Sequence, residues 1–588
     1  MREAVARVTR INGPVVQARG SRLVSMGELV GVGEAQLVGE VIGLDGDLIT
    51  LQVYEESSGL TPGMPVYGSG APLSVELAPG LLTSIFDGIQ RPLTLIEALQ
   101  GDYIGRGVQV QALDHSRLWE FNPTASLGDE LDGGDVLGWV QETPLIRHQI
   151  MLGPGSKGRL TWLGGSGQYT IDEPIARLQG TDGEAVVRML QKWPVRQPRP
   201  VRELLGKNDP LITGQRILDS FFPIVKGGTA AIPGGFGTGK TVTQHQIAKW
   251  ANADLVVYIG CGERGNEITE VLQEFPNLID PRNGRPLMER TVIIANTSNM
   301  QVAARDASIY TGITIAEYYR DMGLDVALMA DSTSRWAEAM REISGRLNEM
   351  PAQEGYPAYL SSRLAEFYER AGRARSLSGQ EGSVTVIGAV SPPGGDFSEP
   401  VTQLTKQFTS VFWALDKNLA SARHFPSINW LNSYSEYIDA VAAWWQAQTG
   451  IHWRSLRAKA MDLLTEQDHL NQIVHLVGPD ALPDEQRLTL LTASLLTQGF
   501  LQQSALDDVD TYASPAKQIG MLDLILKFHD RAMNIIKLGA ISAAIQNLPI
   551  VRRLLVMKND ISNAGLDQFA VLETDLNQQM DELEARYT

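Results

Sequence analysis

The chain has 588 residues, one cysteine, and 68 acidic against 50 basic side chains, for a formal charge of −18. That length excludes a single hydrophobic core and predicts several domains of ~100–200 residues. The lone Cys261 excludes an internal disulfide and points to a reducing compartment, while the acidic balance disfavours nonspecific binding to nucleic acid or anionic lipid.

With 43% apolar and 20% charged residues, the composition is that of an ordinary soluble, folded protein. The start, MREAVARVTR, has no apolar signal-peptide core, and no apolar run approaches the ~20 residues of a membrane span. Work at a membrane is therefore expected to run through a partner, without direct insertion. The histidines lack metal-ligand spacing: His469 and His475 do not share one helical face, so no zinc site is expected.

Residues 1–75 read as short alternating strands broken by Gly-Pro and Asp-Gly pairs, the pattern of a small closed β-barrel. Residues 76–109 are taken as a linker and the start of a nucleotide-binding domain, following the Pro- and Gly-rich stretch 59–82. Residues 110–185 form a second β-rich module, and WPVRQPRPVRE, 193–203, is a proline-rich joint. Over 186–434 apolar runs such as DLVVYIG, TVIIANT, DVALMAD and VTVIGAV alternate with helical segments, which predicts a parallel sheet covered by helices. Residues 435–588 read as helical throughout; the last 29 hold seven acids and one base, the usual mark of a solvated helical face.

AIPGGFGTGKTVTQHQIAKW carries the most specific motif. Gly234, Gly235, Phe236, Gly237, Thr238, Gly239, Lys240 and Thr241 complete GxxxxGK[ST], and Val242 continues into a helix. Glycines let successive backbone N–H groups wrap a phosphate, and the helix N-terminus adds its dipole. Lys240 then reaches the β/γ-phosphates and the Thr241 hydroxyl can ligate Mg²⁺.

The strand Leu255–Ile259 follows that helix and gives way to GCGERGNE. In open parallel sheets ligands collect at the carboxyl ends of strands. A carboxylate there is repelled by phosphate but is useful with a water between them. Glu263 is therefore expected to orient water for in-line attack, with Arg264 balancing charge or orienting Glu263. DVALMAD ends in Asp331, which fits an acid holding the Mg²⁺ shell; Asp331, Ser332 or Ser334 could equally cap the next helix.

At this point the sequence resembles the catalytic A subunit of the V-type and archaeal-type rotary ATPases over nearly its whole length. NGPVV, YEESSGLTPG, PLSVELAPGLL and FDGIQRPL carry the likeness early. GERGNE, MADSTSRWAEA, SPPGGDFSEPVTQLT, ARHFPSINWLNSYS and GPDALPD carry it later. The resemblance implies a multidomain α/β protein: an N-terminal β-barrel, a RecA-like P-loop domain with a β-rich insertion typical of A subunits, and a C-terminal α-helical domain. It implies hydrolysis or synthesis of MgATP coupled to proton or sodium-ion transport, with Lys240, Glu263 and Arg264 catalytic and Asp331 supporting Mg²⁺ through water. Phe425 and Phe500, otherwise ordinary core aromatics, match the family's adenine-pocket positions.

The implied partners are B subunits in an alternating A3B3 ring, which supply an arginine finger, together with central- and peripheral-stalk subunits that lead to a membrane ion-translocating sector. The implied location is the cytoplasmic side of a membrane. Thr238 stands where eukaryotic members often carry cysteine, and Gly235 where Ala or Pro is commoner. The competing readings are a non-catalytic nucleotide-binding subunit, against which the intact loop and Glu263 argue, and a RecA-like RNA translocase or export ATPase, against which the acidity and the insertion weigh.

Overall fold

A computed structural model describes residues 4–20, 24–101, 104–181, 183–265, 273, 275–478 and 481–587. Asn266 and Glu267 of GERGNE, and Pro479 and Asp480 of GPDALPD, lie outside the described residues. The chain divides into two compact units. The first comprises Met1–Gly206, Lys226–Ala231 and Ala253–Thr409; the second comprises Lys207–Val225, Ile232–Asn252 and Ser410–Thr588.

In the first unit, six strands close the expected barrel: Ala6–Asn12, Val15–Arg19, Leu48–Val53, Leu37–Asp45, Glu28–Val32 and Pro65–Pro72 in spatial order. Alternation drives the closure. Val8, Val16, Val30, Val41, Leu51 and Val66 face inward and form one apolar core, and a closed sheet leaves no unpaired edge.

The insertion holds two four-stranded antiparallel sheets. One runs Glu130–Asp132, Lys157–Leu163, Pro174–Gly180, Gly183–Arg188; the other runs Arg147–Met151, Val136–Gln141, Trp119–Pro123, Gly167–Tyr169. On either side of it in the chain, Ser74–Leu77 and Gln191–Pro194 pair antiparallel with Leu77 opposite Gln191.

The rest of the first unit is built on parallel strands in the order Glu381–Val390, Asp325–Asp331, Leu255–Glu263, Thr291–Thr297, Ile85–Phe86. All nine residues of Leu255–Glu263 are buried, as expected of a central strand with both faces covered. The helix Val302–Asp321 is buried from Ala303 to Asp321, an all-round burial that its acidic residues tolerate because arginines meet them. Arg196 pairs with Asp306 at 3.1 Å, Arg199 with Asp321 at 2.6 Å and Arg370 with Glu317 at 2.6 Å. The proline-rich joint is thus an anchored strap whose arginines neutralise a buried helix.

A second buried tie joins the insertion to the same helix. The Glu142 carboxylate accepts from Gly80 N at 2.8 Å, Leu82 N at 3.0 Å, Tyr319 OH at 3.0 Å and His148 Nδ1 at 2.6 Å. The other ring nitrogen of His148 lies 2.9 Å from Tyr318 OH.

The second unit is mostly helical. It contains Lys240–Trp250, Ile438–Thr449, Trp453–Val477, Asp484–Ser494, Pro515–Lys537, Pro549–Asp560 and Gln568–Glu584, with a π-helical turn over Leu495–Leu501. The acidic C-terminal helix buries Leu572, Leu576, Met580 and Leu583 on one stripe, so its charges lie on the opposite, solvated face.

Candidate active site

The phosphate loop belongs to the second unit. The buried strand Thr229–Pro233 leads into it, and the helix Lys240–Trp250 leaves it. Gly239 occupies the helix N-cap position at φ +83°, a left-handed conformation that glycine adopts without strain, and makes no side-chain cap. A helix N-terminus without a side-chain cap leaves its first N–H groups for an anion, which is the physical basis of the motif.

The loop is held from within. Thr238 Oγ1 donates to Gly235 O at 2.8 Å, Thr243 Oγ1 donates to Gly239 O at 2.9 Å, and the Ser427 hydroxyl donates to Thr238 O at 2.5 Å. Gly234 is buried, and a Cβ there would lie 2.6 Å from Thr238 Oγ1. Lys240 and Thr241 are half-buried at the start of the helix, whereas Phe236 and Val242 face solvent.

Phe425 and Phe500 also lie in this unit and differ in environment. The Phe425 ring is 42% exposed and lies 3.5 Å from the position a Cβ on Gly239 would occupy, so an open aromatic face stands beside the loop. Phe500, in the π-helical turn, is fully buried, with its ring centroid 5.9 Å from that of Phe221. Next to Phe425, burial and the Lys558 charge push the His424 ring down to about 4, so it is neutral at pH 7.

Glu263, Arg264 and Asp331 belong to the first unit. The strand expected to end at Ile259 runs on to Glu263, so Glu263 is its last residue. A bulge between Cys261 and Glu263 and the φ of +71° at Gly262 turn the strand end. Gly262 has no room for a side chain, since a Cβ would lie 2.7 Å from Arg305 Cδ and 2.9 Å from Arg335 Cβ. Glu263 is 7% exposed and its carbonyl accepts from Ser298 N at 2.8 Å; Arg264 is exposed. Burial pushes the neighbouring Cys261 thiol up to about 12, making it a packing residue.

Asp331 closes the strand Asp325–Asp331 and is 1% exposed, with Tyr258 OH 3.4 Å from its Oδ2. The N-cap of the following helix is Ser332, so Asp331 is the strand-end acid and not the cap. No cluster of three metal-binding side chains occurs among the described residues. Each unit carries an oxygen of the kind Mg²⁺ takes alongside phosphates and waters: the Thr241 hydroxyl in the second and the Asp331 carboxylate in the first.

Four family models cover the chain: ATP synthase alpha/beta family, beta-barrel domain over 8–70; ATPsynthase alpha/beta subunit barrel-sandwich domain over 110–196; ATP synthase alpha/beta family, nucleotide-binding domain over 214–435; and C-terminal domain of V and A type ATP synthase over 442–545. The A subunit of the A-type ATP synthase of Thermococcus sibiricus is 56% identical over 99% of this chain and 100% of its own length. The chain belongs to the family of A-type ATP synthase A subunits. Another member, from Methanopyrus kandleri, is 56% identical over 98% of both chains, and the V-type ATP synthase alpha chain of Halothermothrix orenii is 54% identical over 98% of both. The assembled ATPase EscN of the enteropathogenic E. coli type III secretion system matches with a TM-score of 0.63 over 89% of this chain and 100% of its own, at 21% identity. That likeness shows a shared fold alone, so the export reading is not favoured over membership of the A-type family. No helix among the described residues is long and apolar enough to cross a membrane.

Sequence reading missed the residues that hold the site from behind. Ser427, which grips the Thr238 carbonyl, stands two positions after Phe425, and nothing in ARHFPS marks it. Arg216 lies 287 positions from Gln503 and 294 from Asp510, and none of the three carries a motif.

Proposed function

We propose that the chain is the catalytic subunit of a rotary ATPase of the V/A type, hydrolysing or synthesising MgATP in a ring of alternating A and B subunits. Backbone N–H groups of Gly234–Thr241 grip the phosphates and Lys240 binds the γ-phosphoryl oxygens. Glu263 accepts a hydrogen bond from the attacking water and aligns it; Arg264 balances the local charge. Thr241 and Asp331 hold Mg²⁺, which supplies charge neutralisation on the phosphates when bound, with Asp331 acting through water. Phe425 and Phe500 form the adenine pocket, and stacking on a flat π-face suits a purine. An arginine from the B subunit completes the charge stabilisation, so the isolated chain turns over slower by about 10³–10⁵-fold. Central- and peripheral-stalk subunits link the ring to an ion-translocating membrane sector that moves protons or sodium ions, with this chain peripheral on the cytoplasmic side.

The observation that carries the reading is Glu263: a buried carboxylate closing the strand that follows the phosphate-loop helix, in a chain with a complete loop. A non-catalytic nucleotide-binding subunit needs no such group. Glu263→Gln in the assembled complex is expected to keep nucleotide binding and lower kcat by about 10²–10⁴-fold, the usual range for a positioned base. Steady-state hydrolysis at the wild-type rate would rule the assignment out.

A further inference from the structure

The two adenine-pocket aromatics sit on segments that do not touch through their rings, yet their backbones are tied through one buried hub. Gln503 is 3% exposed and uses its amide N and both side-chain polar atoms. Its amide N donates to Phe425 O at 2.8 Å. Its side-chain Oε1 accepts from Arg216 N at 2.8 Å, and its Nε2 donates to Gly214 O and to Asp510 O, each at 2.8 Å. Arg216 takes the other segment: Nε donates to Phe500 O at 2.5 Å and Nη2 to Gln502 O at 2.8 Å, while Nη1 pairs with Asp510 at 2.6 Å. Arg216 and Asp510 both have fully buried side chains.

Two of these contacts fall on the main chain of the aromatics themselves: Gln503 N on Phe425 O and Arg216 Nε on Phe500 O. The turn Leu495–Leu501 ends its helix, and the last carbonyls of a helix have no donor within it; Arg216 supplies a donor at Phe500 and, just past the turn, at Gln502, which Lys558 Nζ also reaches at 3.1 Å. Without that fork the turn is free to relax into an ordinary helix, which would rotate Phe500 about the axis. Without the Gln503 side chain the main-chain N–H that donates to Phe425 O keeps its bond but loses the anchors at Arg216 N, Gly214 O and Asp510 O that hold it in place. The phosphate loop has separate supports, Thr238 on Gly235 and Ser427 on Thr238. Base recognition and phosphate recognition therefore rest on different buried contacts.

We propose that Gln503 and Arg216 are positioning residues for the nucleobase: they set the Phe425 and Phe500 segments and so control affinity for the adenine moiety without acting on the phosphates. The proposal rests on the reading of those two aromatics as the adenine pocket. The test compares binding of MgADP with binding of inorganic tripolyphosphate, which has no base, by calorimetric titration of the full chain.

Gln503→Met keeps the side-chain length and removes the three side-chain hydrogen bonds, leaving the main-chain donor to Phe425 O unanchored. Arg216→Lys keeps a charge for Asp510, avoiding an uncompensated buried carboxylate, but cannot supply the two-armed contact to Phe500 and Gln502. Each variant is expected to weaken MgADP about tenfold and leave tripolyphosphate within about twofold. In the assembled complex, KM for ATP rises by a similar factor while kcat stays within about twofold. Phe425→Ala separates the two levels of inference. If it leaves MgADP affinity unchanged, the adenine-pocket reading fails. If it weakens MgADP while Gln503→Met and Arg216→Lys do not, the positioning proposal alone is overturned. Loss of tripolyphosphate binding in both variants, or failure of both to fold, would equally overturn it, since the hub would then be supporting the whole unit. Tripolyphosphate binding in either variant certifies its fold and lets that variant carry the test alone.

Discussion

Replacing His148 by alanine removes one partner of a pair whose side chains are 0% and 1% exposed, and leaves Glu142 with Gly80 N, Leu82 N and Tyr319 OH as its remaining donors. Breaking a buried pair by deleting one member costs ~3–5 kcal/mol. Three of four donors survive, so the loss belongs at the lower end, about 3 kcal/mol. Glu142→Gln keeps one acceptor oxygen for the two amides but removes the charge and puts an NH2 donor where His148 and Tyr319 meet the other oxygen, for about 1.5–2 kcal/mol. The double variant is expected to cost less than the sum, with a coupling of about 1–2 kcal/mol.

The pH dependence has a definite sign. Burial by itself raises the Glu142 carboxyl, but the His148 ring and the amides of Leu82 and Gly80 outweigh it and hold the group below its ordinary value. A depressed carboxyl contributes stability that is fully present above the unfolded-state value of about 4.3 and is lost as pH falls through the folded one. Guanidinium unfolding followed by circular dichroism at pH 7 and pH 4 measures both effects. The wild type should lose more stability between those pH values than Glu142→Gln does. An unfolding midpoint in His148→Ala equal to wild type, or a coupling of zero, would mean that the pair carries no net stability.

Gly234→Ala places a Cβ 2.8 Å from Leu415 and closer still to Thr238, an overpacking worth about 1–3 kcal/mol, so MgADP and tripolyphosphate should both weaken by roughly five- to a hundredfold. Unchanged affinity for both in the same calorimetric titration would show that the loop yields there at no cost. Cys261 is fully buried with a thiol pushed up to about 12, so a maleimide at pH 8 should leave the native chain unlabelled and react after denaturation. Stoichiometric labelling of native protein within minutes would contradict that burial.

The barrel, the alternating α/β segment and the helical C-terminal region were legible because hydrophobic period and turn residues carry them locally. The strand through GCGE was not. Glycines beside a charged pair read as a turn, but Gly260 pairs with Ala295 and Asp331, Cys261 pairs with Asn296, and Glu263 pairs with Thr297, so tertiary pairing extends the strand. Asp331 carried two readings that only the helix start at Ser332 could separate. The phosphate loop needed no context, since its residues are contiguous. Arg216 and Gln503 stand 287 positions apart, and Arg216 and Asp510 stand 294 apart, so no local pattern could pair them. Arg196 and Arg199 stand in a stretch that reads only as a proline-rich joint, and their pairing depends on a helix more than a hundred residues later.

The insertion is flanked by two antiparallel strands, but on its way into the insertion the chain first runs through Ile85–Phe86, a strand of the parent sheet. A pull on the insertion therefore reaches the body at several points: Ile85–Phe86, Gln191–Pro194, the Glu142 carboxylate on Gly80 and Leu82, and Gln149 on Met322 O. Load applied at the far end is thus shared between the parent sheet and the buried helix Val302–Asp321 with its C-cap, and no single strand pair carries it alone.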